Sequence, residues 1–205
     1  MEHDLILWPA TARYELDPAP GGLGFVHDLL STAPAGKPRQ PDLIADQVPA
    51  QDWLDAAFAG WAAVSGRTPG SVTLTARDTA ALRAFRNALR RQMTLPADGA
   101  DGRPLLPHLA VTLRPDSSGR VQAEPRGNGW QAVAALALIE IFQAQHDGTW
   151  QRLKICRNQR CEGAFYDRSR NNSGVWHNVR VCGNQANLRA YRVRQQSGGT
   201  AEERP

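Results

Sequence analysis

Apolar residues along this chain recur first at intervals of three and four, then alternate, then run almost unbroken. In residues 22–33, GLGFVHDLLSTA, the positions Leu23, Val26, Leu29 and Leu30 share one helical face. The helix predicted there stops before a Pro- and Gly-rich linker, PAGKPRQPD. A second helix is predicted over residues 50–64, where Trp53, Leu54, Ala57, Phe58 and Trp61 keep the same spacing. A third begins after Thr75, which lies three positions before Asp78 and so offers a variant of the capping box. Its apolar stripe is Leu82, Phe85, Leu89 and Met93, with Arg83, Arg86 and Arg90 to one side. Those arginines read either as an anion-facing ridge or as an ordinary exposed helix face, and the spacing favours the exposed face. In HLAVTLRPDSSGRVQAE, residues 108–124, the period changes to two at Leu109, Val111 and Leu113, breaks at Pro115–Gly119, and resumes at Val121 and Ala123. That pattern predicts a β-hairpin. A long buried helix is predicted over about residues 129–147. The Pro- and Ala-rich residues 1–20 read as an extended arm or a short edge strand, and the polar tail, residues 195–205, as disordered. The expected fold is mainly α with a short β-hairpin, an α+β chain. A helical domain over 1–148 would precede a small C-terminal segment over 149–194.

Composition narrows the class. With 41% hydrophobic and 21% charged residues in 205, the chain reads as soluble and globular. Its most apolar stretch, residues 130–144, carries Glu140 and is shorter than the ~20 residues of a membrane span. The N-terminus lacks a basic region followed by an apolar run, so no signal peptide is expected and the protein reads as cytoplasmic, with no membrane partner. Charge is uneven. Residues 1–150 hold 13 Lys and Arg against 16 Asp and Glu, net −3, whereas residues 151–205 hold 11 against 4, net +7. A basic C-terminal part points to an anionic partner, nucleic acid first, or else to a highly solvated surface.

The chemistry concentrates in the same part. All three cysteines, Cys156, Cys161 and Cys182, lie within 27 residues of one another together with His177. The spacing is Cys-x4-Cys, fifteen residues, then His-x4-Cys. Thiolate sulfur and imidazole nitrogen are zinc's preferred tetrahedral ligands, and in a reducing compartment clustered thiols are more often ligands than bridges. Four protein ligands leave no position for water, so the spacing predicts a structural zinc. The alternative puts His177 beside the metal and takes the fourth ligand from Asp167 or water, which would open the site to hydrolysis. Phe165 reads as a core plug, Asp167 and Ser169 as loop hydrogen-bonders, and Trp176 as a packing residue. Arg157, Arg160, Arg168, Arg170, Arg180, Arg189, Arg192 and Arg194 supply positive charge. GNQANLRAYRVR after Cys182 reads as a basic terminal helix able to lie against a DNA backbone.

This stretch resembles the CGNR zinc-finger family. The resemblance rests on Cys156 and Cys161, then Phe165, Asp167, Ser169, Arg170 and Asn171, then Trp176 and His177, then Cys182, Gly183 and Asn184, over about residues 150–194. Upstream, GFVHDLL, PDLIAD and DWLDAAF are similar in order to the helical ABATE domain that precedes this finger. The resemblance implies a stress-related bacterial transcription regulator: a finger that binds duplex DNA through Arg168, Arg170, Arg180, Arg189, Arg192 and Arg194, and an N-terminal domain that senses a ligand or forms a homodimer. His177 stands where the family has Cys, an exchange zinc accepts. Gln185 replaces the family's Arg, and Val175 and Asn187 stand at positions that are commonly basic, so DNA contact is expected to be weakened. The alternative function is a repurposed relative in which zinc is only a clip and the helical domain binds or transforms a small molecule. His27, Asp28 and His108 are the acid–base candidates for that chemistry. No other catalytic residue is indicated.

Overall fold

The computed structural model describes residues 8–36, 38–95, 105–184 and 188. Five helices form the body: α1 Pro9–Ala12, α2 Leu23–Ser31, α3 Gln47–Ser65, α4 Ala76–Thr94 and α5 Trp130–His146. Two antiparallel hairpins accompany them, β1 Val111–Pro115 with β2 Val121–Pro125, and β3 Leu153–Ile155 with β4 Ala164–Tyr166. The fold is therefore α+β, with a second hairpin that the alternation rule did not signal because each strand has only three residues. Among the described residues no helix is long and apolar enough to cross a membrane.

Helix α2 is the hub. Every one of its nine residues is buried, and it packs against α1, α3, α4, α5 and β4. A helix enclosed on all sides must satisfy its polar side chains internally. Asp28 accepts the Thr11 amide at 2.7 Å and the Trp53 indole N–H at 2.8 Å. His27 Nδ1 accepts the Ala19 amide at 3.2 Å. These bonds pin the N-terminal segment inward. Trp8, Ala10 and Thr11 are buried and α1 is helical, so the extended arm expected for residues 1–20 is replaced, over its described part, by a packed turn of helix.

The helices follow their sequence signals. Thr75 accepts the Asp78 amide while Asp78 accepts the Thr75 amide, a complete capping box for α4. In α5, ten buried residues confirm the enclosed helix, and Glu140 is held there by the Trp61 indole at 2.8 Å. Burial raises the Glu140 pKa. The arginines of α4 depart from the expected exposed face. Arg86 is only 1% exposed and makes a two-pronged ion pair with Asp42 at 2.7 and 2.8 Å, adding Thr32 Oγ1 at 3.0 Å. Half-buried Asp42 could not have been foreseen as its partner from helical spacing, because it lies 44 residues away. The first hairpin pairs Leu113 with Ala123, and its apolar residues Val111, Leu113 and Val121 are exposed.

Candidate metal centre and basic surface

The C-terminal segment builds its site from two turns. β3 leads into Cys156, whose amide donates to the Gly163 carbonyl at 2.9 Å. The Asn158 carbonyl then accepts from both Cys161 and Glu162, at 2.7 and 3.0 Å, which folds the four intervening residues into a tight knuckle. Glu162 takes a positive φ of 54° at the end of that turn, and the Gly163 amide donates to Cys161 Sγ at 3.4 Å. The second turn is a short π-helical segment, Val179–Gly183, capped by the Asn178 side chain at the Val181 amide. It carries Cys182 inward.

The two turns meet. His177 Nδ1 lies 3.2 Å from Cys161 Sγ and 3.5 Å from Cys182 Sγ. The donor atoms of Cys156, Cys161, His177 and Cys182 all lie within 4.8 Å of one another. Ligands at zinc's usual bond lengths on a tetrahedron sit about 3.5–3.8 Å apart. The cluster is thus suited to one zinc ion, held by three thiolates and His177 Nδ1. Zinc would serve there as a cross-link, since four protein donors fill its coordination. Hydrogen bonding from Cys161, then from His177, draws the Cys156 pKa down to about 4, while its bond to Cys156 pushes Cys161 up and burial pushes Cys182 up.

Asp167 is committed elsewhere. It is 4% exposed and accepts from Lys154 Nζ at 2.7 Å, the Ser169 amide at 2.9 Å and the Gly174 amide at 2.7 Å. Burial works to raise its pKa, but Lys154, Ser169 and Gly174 outweigh that and hold the carboxyl well below the usual range. A Cβ at Gly174 would meet the Asp167 carboxyl carbon at 2.8 Å, so the loop needs glycine there. Lys154 had no signal in the ligand spacing, yet it also donates to the Asn172 and Gly174 carbonyls and closes the loop between the two ligand pairs. Phe165 and Trp176 pack against the three cysteines, as their composition suggested.

Residues 152–195 match the model of the CGNR zinc finger. No curated protein matches the chain. The CGNR match covers the whole donor cluster, and in it Trp176 lies against Gly183, where a Cβ would approach the indole to 3.2 Å.

The positive residues fall into three groups. Arg170 and Arg180 are exposed, as are Arg157 and Arg160 around the knuckle. Arg168 is partly engaged: it donates to the Pro18 carbonyl at 2.8 Å and stacks on Tyr166 at 5.6 Å. Arg189, Arg192 and Arg194, with Gln185 and Asn187, lie outside the described residues, as do the terminal basic helix and the tail. Val175 is half-buried, and its carbonyl accepts the Arg157 amide at 3.1 Å. The acid–base candidates do not converge. His27 and Asp28 are fully buried in α2, and His108 is exposed in the segment before β1.

Proposed function

We propose that this protein is a DNA-binding regulator in which zinc fixes the CGNR segment and the segment's arginines meet duplex phosphate. The observation that carries the reading is the exposure of Arg157, Arg160, Arg170 and Arg180 around the donor cluster, on a segment of net +7. Guanidinium groups held on a rigid loop can take backbone oxygens in pairs, and each such contact steepens the salt dependence of binding. The helical body, which resembles the ABATE domain, senses a ligand or pairs two copies, and the stress-related role follows from the same resemblance. Zinc-loaded full-length protein should enrich a motif from random duplex DNA at low salt and keep it at higher salt. Absence of any duplex binding at low salt would refute the reading.

A second reading is favoured by a cleft of about 520 Å³ between the first hairpin and the body. Phe58, Trp61 and Leu136 line its apolar side, and Arg67, Gln122 and Glu124 its polar side. Its size and mixed lining suit a small organic ligand. In that case the finger is a clip and the body carries the activity. Ligand-induced stabilisation with no DNA binding would support it.

A further inference from the structure

A separate cleft, of about 490 Å³, opens where α4 meets the finger. Four arginines line it, Arg39, Arg86, Arg90 and Arg91, against two carboxylates, Asp42 and Glu162, which leaves an excess of +2. The charges are not equally occupied. Arg86 is saturated by Asp42, Thr32 and Asn87. Arg39 holds Glu162 only through an exposed contact at 3.3 Å. Arg90 donates to two neutral carbonyls, those of Leu30 and Glu162, and among the described residues neither it nor Arg91 forms an ion pair. A half-buried guanidinium that meets only neutral acceptors is under-compensated. Burial, and after it the nearby Arg86 charge, disfavours the charged form of Arg90.

We propose that this cleft binds a phosphoryl group through Arg39, Arg90 and Arg91. A phosphoryl dianion matches the excess charge, and its several oxygens match the forked donors of guanidinium better than a single carboxylate would. The two carboxylates set the selectivity. Asp42 is tied to Arg86, so Glu162 is the group the anion displaces, by taking Arg39 from it. Glu162 directly follows the metal donor Cys161, and Ile155 precedes the donor Cys156, so the bound group touches both the body and the finger. The phosphoryl group can come from a free phosphorylated metabolite or from the DNA backbone.

The test uses the zinc-loaded protein and pyrophosphate, with chloride at matched ionic strength as the control. Pyrophosphate at ten times its Kd should raise Tm by about 3–6 °C for a chain of this size. The double variant Arg39→Ala/Arg91→Ala, which removes two exposed side chains without touching the core, should weaken binding at least about tenfold. Glu162→Gln should tighten it, because the competing carboxylate is gone. In parallel, the salt slope of duplex binding is measured for the double variant. A slope lower by about 2 assigns the phosphoryl group to DNA, and an unchanged slope with lost pyrophosphate binding assigns it to a free ligand. Equal stabilisation by chloride, or pyrophosphate affinity and salt slope that ignore the substitutions, would overturn the proposal. The pyrophosphate measurement stands even if the protein binds no DNA.

Discussion

His27 and Asp28 are neighbours with opposite titration. Burial lowers the His27 pKa to about 4 and raises that of Asp28 to about 6, despite the bonds Asp28 receives from Thr11 and Trp53. A histidine depressed on folding costs stability as pH falls below its unfolded value, whereas a carboxylate raised on folding costs stability as pH climbs towards its folded value. The two opposing trends overlap between about pH 4 and 6. Substituting one exposes the other. The stability of the parent protein relative to Asp28→Asn should fall by about 2 kcal/mol as pH rises from about 4 to 6, the part of the Asp28 shift that this window spans. Urea titrations at a series of pH values read this directly, and a flat difference would show that Asp28 is not desolvated as described. At the metal cluster, Cys182→Ser should abolish stoichiometric zinc, measured by a chromogenic chelator, and lower Tm, because the donor removed sits on the turn that carries it inward.

At the scale of elements, α4 contributes both a cap and a buried ion pair. Thr75→Ala removes the capping bond and should cost about 1 kcal/mol in urea denaturation. The Arg86–Asp42 pair is asymmetric, with side-chain exposures of 2% and 17%. Removing Asp42 strands a charge in the core, whereas removing Arg86 leaves a carboxylate that still reaches water. Asp42→Asn should therefore cost about 3 kcal/mol or more, and Arg86→Met less. The reverse order would mean that Asp42 is the more deeply desolvated partner. The helices themselves were legible because their periodicity is local. The pair was not, since an arginine beside an apolar stripe looks solvent-facing until its partner 44 residues earlier is placed beside it. Likewise α2 reads as amphipathic from its four leucine and valine positions, and only the elements that surround it reveal that its polar side is enclosed.

At the scale of the whole molecule, the finger and the body share one core. Leu153 of β3 and Ala164 of β4 belong to the main apolar cluster, while only the cysteines and Phe165, with Leu16 and Trp176 against them, form a separate one. The Gly36 amide donates to the Cys161 carbonyl at 3.0 Å, and Arg90 reaches the Glu162 carbonyl. Apolar packing thus continues across the boundary expected near residue 148. Zinc chelation should lower the Tm of the helical signal together with that of tryptophan fluorescence, in one transition. Two separated transitions, with the helical one unmoved, would show the finger melting alone. The candidate metal donors could be read from spacing because a zinc site needs only four residues, here of two types, at turn-sized intervals. The seam could not, since it consists of backbone carbonyls and small residues such as Ala164 and Gly36, which carry no signature in a sequence.

That shared seam also sets an order of events during synthesis. The helical body is translated first, but the face of α2 that receives β4 has nothing to cover it until residues 164–166 have been made. The last metal donor, Cys182, comes later still. A nascent chain therefore carries an open apolar slot through most of its elongation, the kind of surface that chaperones hold and that aggregates when crowded. Its closure waits on the synthesis of β4, and the cross-link that would brace that strand waits on Cys182.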